Sequence, residues 1–305
     1  MSSILLRIIL IACFFFACKA ADAQVSEGVL SENYFFQAVR SAQDESYITF
    51  GQGIGNLDAL IFEAFVTPNF LLRTSTDSRW GAVLTPAVLL RMKAEESFPV
   101  QTPGYKPQLT FYHQIGTYNY SRYRINFLFV KLAHHSNGQE EPFYLINGEV
   151  NLKSGNFSTN FIEIGAFFNK KLNLKGLKGS AFRSSLEIHP DLDRSPELNG
   201  KYSFFRWHNQ FRIFFLSRDE EFAAVNSNPR FQTTMRTSWL FGNMDEHGFF
   251  DAGRRLVLSV TGEYRPEFLK DVSLFVNFYS GEDYYNIHFG KKIVALRFGL
   301  QAYSL

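Results

Sequence analysis

The residues of this chain best suited to chemistry are an imidazole and a hydroxyl two positions apart. They stand in His134-His135-Ser136-Asn137-Gly138-Gln139, where an alternating segment runs into a polar stretch. In an extended chain, residues two apart project from the same face, so His134 and Ser136 sit side by side. An imidazole within reach of a serine hydroxyl can take its proton and make the oxygen nucleophilic. As spacing alone the signal is weak, because His-x-Ser recurs by chance and also suits a polar strand end. Other clusters read as structural. His189-Pro190-Asp191-Leu192-Asp193 offers an imidazole and two carboxylates but has the composition of a solvated turn. Arg206, His208 and Arg212 alternate with apolar residues and read as interior packing partners. Gly51, Gly53 and Gly55 lack the following helix pattern that a phosphate loop requires.

The elements that must carry these residues have a period of two, not 3.6. From Phe205 to Phe215, the odd positions Phe205, Trp207, Asn209, Phe211, Ile213 and Phe215 are mostly apolar, while the even positions hold Arg206, His208, Gln210, Arg212 and Phe214. Val294, Leu296, Phe298 and Leu300 alternate with Ala295, Arg297, Gly299 and Gln301. Val272, Leu274, Val276 and Phe278 do the same beside Ser273 and Asn277, with Phe275 as the exception. Loops are marked by Glu95 to Gly104, Asn137 to Asn156, His189 to Gly200, and Gly242 to Gly253.

Composition narrows the class. The 305 residues carry 31 Lys and Arg against 29 Asp and Glu, so a charge of +2 supplies no basic field for nucleic acid. With 46% apolar residues and balanced charge, the chain can bury enough surface to fold, which excludes disorder. Aromatic residues make up 17% of the chain although the mean hydropathy is only −0.13, a pairing that fits ring-rich strands with polar reverse faces. Residues 1–23 read as a signal peptide: Arg7, an apolar run from Ile8 to Ala17, and small residues Ala21 and Ala23 before Gln24. That run is too short to span about 30 Å of hydrocarbon. Phe15-Phe16-Ala17 before Cys18 is a poor lipidation site. Both cysteines, Cys13 and Cys18, fall in the leader, so the mature chain has neither disulfides nor thiolate metal sites.

Together these features predict an all-β fold, an antiparallel transmembrane β-barrel of outer-membrane type reached after signal-peptide cleavage. At roughly ten residues per strand and a similar length per connection, residues 58–305 hold about 12 strands. Residues 24–57 are more mixed and read as an N-terminal arm or plug-like lead-in. A secreted sandwich is the competing architecture, since it alternates as well.

The motif His134-His135-Ser136-Asn137-Gly138 resembles the His-x-Ser-Asn-Gly signature of the outer membrane phospholipase A family. Glu95-Glu96-Ser97, Tyr105-Lys106-Pro107-Gln108-Leu109 and Tyr279-Ser280-Gly281 resemble further segments of that family in the same order, so the likeness runs from about Glu95 to the C-terminus. The resemblance implies a calcium-dependent hydrolase of acyl esters in glycerophospholipids, of phospholipase A1 and A2 type, active as a homodimer in the outer-membrane bilayer. Ser136 and His134 would be two members of its Ser-His-Asn triad. The family's third member opens the next strand in Ser-Trp-Asn. Ser158-Thr159-Asn160 matches apart from the tryptophan, and Asn160 shares a face with Ile162, Ile164, Ala166 and Phe168. Asn147 lies nearer the family's spacing but between turn signals. His134 and Ser136 share a face with Leu128, Val130 and Leu132, so all three triad side chains are expected to face lipid.

The resemblance further implies an oxyanion donor at the Gly138 N–H and calcium ligands at Ser97, Gln139 and Glu141, with Gln139 standing where the family has arginine. Two other functions remain open: a lipid A deacylase using Ser-His-Glu, with Glu149 or Glu163 in third place, and a barrel without enzymatic activity.

Overall fold

The structure is a computed structural model that describes residues 34–75, 78–96, 100–119, 124–174, 177–215, 230–244, 247–269 and 271–302. The expected leader and Ser97 lie outside the described residues. Helix α1 (Tyr34–Ser41) precedes strands β1 (Ser46–Thr49), β2 (Ile54–Gly55), β3 (Leu60–Val66), β4 (Phe70–Leu72), β5 (Trp80–Lys93) and β6 (Gly104–Asn119). Then come β7 (Arg124–Ser136), β8 (Ser158–Leu174), β9 (Leu177–Ile188), β10 (Phe205–Phe215) and β11 (Phe231–Phe241). A one-turn helix, α2 (Ala252–Arg255), leads into β12 (Leu256–Tyr264), followed by β13 (Val272–Glu282) and β14 (Lys292–Ala302).

These segments form one closed antiparallel cylinder of 12 strands. The 14 segments fill 12 places because β2 shares the flank of β14 with β1, and β4 shares the flank of β5 with β3. Closure follows from chemistry: a sheet that meets lipid can leave no backbone edge unpaired. The alternation read in the sequence is the alternation of the wall. On β13, Leu274, Val276 and Phe278 face out while Ser273, Phe275, Asn277 and Tyr279 are buried inside. Phe275 points inward by the strand's alternation, and its ring packs edge-on against Tyr47 of β1, at 5.8 Å.

Residues 34–57, part of the segment expected as an arm or plug-like lead-in, contain β1 and β2, and β1 closes the seam between β14 and β3. Four residues are too few to announce a strand by alternation. Gly51, Gly53 and Gly55 lie along this seam, where a Cβ on Gly53 would meet the Leu296 carbonyl oxygen at 2.2 Å. Close approach of backbones explains that glycine. An ionic network reinforces the short seam. Glu63 on β3 pairs with Arg297 on β14 at 2.6 Å and with Arg91 on β5 at 2.7 Å, and Arg91 bonds Asp283 at 2.8 and 2.9 Å.

The lumen is filled at one end. Phe35, Phe36, Ala38, Val39 and Ala42 of α1 and its exit pack against Val83, Tyr112, Phe127, Phe129, Phe167 and Ala181, all on the inner wall. Gln43 donates to the Tyr112 hydroxyl at 2.9 Å, and Arg212 donates to the Ser41 carbonyl at 2.6 Å, satisfying an open helix end. At the opposite rim, the connections after β5, β7, β9, β11 and β13 gather. Phe143 and Phe157, Leu198 and Tyr202, and Ile287 and Phe289 form one apolar cluster drawn from three of them.

Candidate active site at the strand rim

The site begins with a register. β7 pairs with β8 without a shift from Asn126↔Phe168 to Ser136↔Ser158, which sets His134 directly opposite Asn160. Leu128, Val130 and Ile164 on the same face are exposed, whereas Phe127, Phe129, Ala133 and His135 are buried. His134, Ser136 and Asn160 therefore stand on the outer surface of the wall, near the rim where the connections gather. His135, between them, faces the interior with its ring against Phe157 at 5.0 Å. That interior holds a cavity of about 360 Å³ lined by groups including Lys106, His135, Arg206 and Glu282. The wall of the barrel separates it from the outward face that carries His134, Ser136 and Asn160.

His134 Nδ1 lies 2.9 Å from Asn160 Oδ1. The carboxamide's other end donates from Nδ2 to the Leu192 carbonyl at 2.6 Å, so the oxygen is the end facing the imidazole. An amide oxygen only accepts, and His134 Nδ1 is therefore the protonated nitrogen. In the neutral imidazole this tautomer has its lone pair on Nε2, which is the form a general base needs. Ser136 is two residues away on the same face, opposite Ser158 on β8 and Tyr105 on β6. Among the described residues no hydrogen bond joins Ser136 to His134. Such contacts are often loose before substrate binds.

Asn137 has a structural role that the motif does not announce. It is 2% exposed; its Nδ2 donates to the Gly155 carbonyl at 2.8 Å, and its Oδ1 accepts from Phe157 N–H at 3.0 Å and Gln139 N–H at 3.3 Å. This one side chain joins both ends of the connection between β7 and β8. Gly138 follows with φ +67°, and a Cβ there would meet the Tyr105 ring at 3.3 Å, so both conformation and space call for glycine.

The remaining expected residues divide clearly. Asn147 sits in an exposed turn, where its Nδ2 bonds Glu149 Oε2 at 3.0 Å, so Asn160 and not Asn147 meets His134. Glu163 faces the lumen, bonded to Lys131 at 2.8 Å and Arg183 at 2.5 Å, because it differs from Asn160 in parity. Gln139 is half-buried and Glu141 is exposed, with its main-chain carbonyl bonded to Asn156 N–H at 2.8 Å. Arg206, His208 and Arg212 bond interior partners: Glu282, Ser238 and the Ser41 carbonyl. The segment from His189 to Asp193, read as a solvated turn, is exposed at Asp191, Leu192 and Asp193 but not at His189. His189 is 4% exposed and the Leu192 carbonyl bonds Asn160; proline and aspartates masked a segment that folds back over β8.

Calcium prefers several hard oxygen ligands. The segment 138–141 offers only oxygen donors of that kind, including the exposed carboxylates of Glu140 and Glu141. Among the described residues no three His, Cys, Asp or Glu side chains converge on a metal position. A cation here would fit only with main-chain carbonyls, water or a second copy completing its shell.

No family model and no curated protein matches the chain. Solved structures do. Outer membrane phospholipase A from Escherichia coli superposes with a TM-score of 0.57 at 12% identity, covering 86% of this chain and 98% of that one. A form of the same protein with an active-site asparagine replaced by alanine gives 0.58 at 11% identity, covering 89% and 98%. At such identity the likeness is one of fold: a barrel of outer-membrane type.

Two outcomes follow from the rim. Asn137→Ala leaves buried Phe157 N–H and Gly155 C=O groups without their partner and should lower stability by about 1–3 kcal/mol in denaturant unfolding of the detergent-solubilised protein. A wild-type midpoint would contradict the role given to Asn137. The second concerns His288, in the connection between β13 and β14. Burial, and then the Arg91 guanidinium, push its pKa from 6.5 down to about 4. A depressed histidine pKa means that the unfolded chain binds the proton more readily, so this stability is complete above pH 6.5 and lost as pH falls toward 4. At about 1.4 kcal/mol per unit the loss is about 3 kcal/mol. Unfolding measured from pH 7 to 4 should show it, and His288→Asn should flatten that part of the profile.

Proposed function

We propose that this barrel is a phospholipase that hydrolyses acyl ester bonds of glycerophospholipids in the membrane surrounding it. The observation that carries the reading is the outward-facing His134–Asn160 pair, with Ser136 beside it on the lipid side of the wall. A lipid ester need not leave the bilayer to reach such a group. Ser136 Oγ attacks the ester carbonyl while His134 Nε2 takes the hydroxyl proton. The tetrahedral intermediate collapses, and His134 returns the proton to the departing alcohol. Water then releases the fatty acid by the same two transfers. Asn160 holds the Nδ1–H throughout and, being neutral, fixes the tautomer without adding charge.

The developing oxyanion needs N–H donors. The resemblance implies the Gly138 N–H, next but one to Ser136, as that donor, and the neighbouring Gln139 N–H is engaged by Asn137. Oxygens of Gln139 and Glu141 would hold a calcium ion near 138–141. It would supply Lewis-acid polarisation at the reacting carbonyl. The ligands that one chain lacks would come from a second copy, which makes the active form a dimer. The parity of Glu163 and the distant turn of Glu149 do not favour a Ser-His-Glu deacylase.

The test uses purified protein, phosphatidylethanolamine in mixed micelles, and release of fatty acid and lysophospholipid. Ser136→Ala should lower the rate at least about a hundredfold, and Asn160→Ala less, because orientation is lost but the nucleophile is kept. EDTA should stop turnover and added calcium restore it. Unchanged hydrolysis by Ser136→Ala would remove the serine from the reaction; unchanged hydrolysis in EDTA would remove calcium alone.

A further inference from the structure

The connection between β9 and β10 lies along β8 at the stretch that carries Asn160. Ser195 N–H donates to the Ser158 carbonyl at 2.9 Å, and Ser158 N–H donates to Ser195 Oγ at 3.0 Å. Ser158 Oγ reaches the Asp193 carbonyl at 3.4 Å, and Asp193 takes a left-handed φ of +54° that turns the chain there. Next along, the Leu192 carbonyl receives the Asn160 amide. On the inner side, His189 Nδ1 lies 2.9 Å from Thr159 Oγ1 and Nε2 lies 2.8 Å from Glu187 Oε1. Thr159 is 0% and His189 4% exposed. Burial pushes the His189 pKa down and favours its neutral form. Its one N–H then donates to the Glu187 carboxylate and its bare nitrogen accepts from the threonine hydroxyl. Three consecutive residues of β8 are thus gripped by one loop: Ser158 through its main chain, Thr159 from inside and Asn160 from outside. Arg194 braces the loop, with its guanidinium 3.7 Å over the Phe204 ring and bonded to Asn199 Oδ1 at 2.7 Å.

We propose that this connection is an orientation clamp for the Asn160 carboxamide, in which the Leu192 carbonyl selects the amide's N end and His189 and Ser195 are positioning residues for that carbonyl. Its kinetic consequence rests on the phospholipase reading; its structural consequence does not. A carboxamide is nearly symmetric in shape and turns over readily unless its two ends are told apart. A carbonyl accepts only, so it holds Nδ2 and leaves Oδ1 alone to face His134. With the clamp loosened, the amide N–H can turn toward His134 instead. The imidazole must then offer a bare Nδ1 and carry its proton on Nε2, the tautomer that cannot accept a proton from serine.

The experiment uses full-length protein in detergent, uniformly 15N-labelled on histidine, together with initial rates on phosphatidylethanolamine. The variants are Ser195→Ala, His189→Phe and the conservative His189→Gln, whose amide can still donate on one side and accept on the other. Wild-type His134 should show a protonated Nδ1 and a bare Nε2. Ser195→Ala and His189→Phe should show mixed tautomers and a kcat lowered about tenfold, the size of one lost orienting hydrogen bond, with KM unchanged. His189→Gln should recover both readings. Ser195→Ala should add nothing to Asn160→Ala, because the clamp acts only through that carboxamide. A single wild-type tautomer in Ser195→Ala and His189→Phe, or a loss that adds in full to Asn160→Ala, overturns the clamp. If no protein, wild type included, hydrolyses the lipid, the functional reading fails and the tautomer measurement alone decides the clamp.

Discussion

The site depends on the pairing register of β7 with β8. Side chains of a strand alternate between faces, so a slip of one residue would send either His134 or Asn160 into the lumen and break their contact. Several independent features hold the register. Inside, Lys131 stands opposite Glu163 and bonds it at 2.8 Å, and Phe127 stacks on Phe167 at 4.7 Å and 10°. At the rim, Asn137 N–H bonds the Phe157 carbonyl at 3.1 Å and its side chain spans the same gap. A charge pair, a ring pair and a polar clamp all favour one alignment, and the outward dyad inherits it.

Much of this was legible in the sequence, and the places where it was not have specific causes. β10, β13 and β14 alternate, apart from Asn209, Phe214 and Phe275, because one face meets the outside and the other meets polar lumen groups such as Arg212, Asn277 and Arg297. β7 reads ambiguously because Phe127 and Phe129 are as apolar as Leu128 and Val130. The structure explains them: α1 occupies the lumen there, so the inner wall at that level is a hydrophobic core. The parity of Asn160 was readable, since Ile162 and Ile164 mark its face. The partner of its Nδ2 was not, because it is a main-chain carbonyl from a segment 32 residues away, and backbone groups leave no mark on composition. β1 was hidden by its brevity, and the structural part played by Asn137 was hidden by its place inside a motif that suggests chemistry.

Charge is sorted by face. Glu63, Arg91, Glu163, Arg183, Glu187 and Arg206 lie inside and bond one another in pairs or small networks. The outward face of the site presents a serine, an imidazole and a carboxamide, none of which needs to be ionised at rest. This division follows from the cost of charge: an ion beside hydrocarbon loses its hydration, whereas one in a polar lumen finds partners. It also accounts for a carboxamide at position 160. A carboxylate there would face the Leu192 carbonyl with no proton to offer it, and would sit at the lipid boundary as an unpaired charge.

The two ends of the cylinder are closed by different means, and the difference decides where chemistry can reside. At one end α1 fills the lumen with apolar side chains. At the other, Phe157, Leu198, Tyr202, Ile287 and Phe289 from three connections pack into a single cluster. Phe157 is 0% exposed and lies one residue before β8, while its N–H and carbonyl both bond Asn137, one residue after Ser136. The packing of the rim is therefore transmitted directly to the strand ends that carry Ser136 and the Asn160 carboxamide. Here the connection between β9 and β10 bonds Ser158 and Asn160 directly, so the outward face of the site is tied to the packed rim.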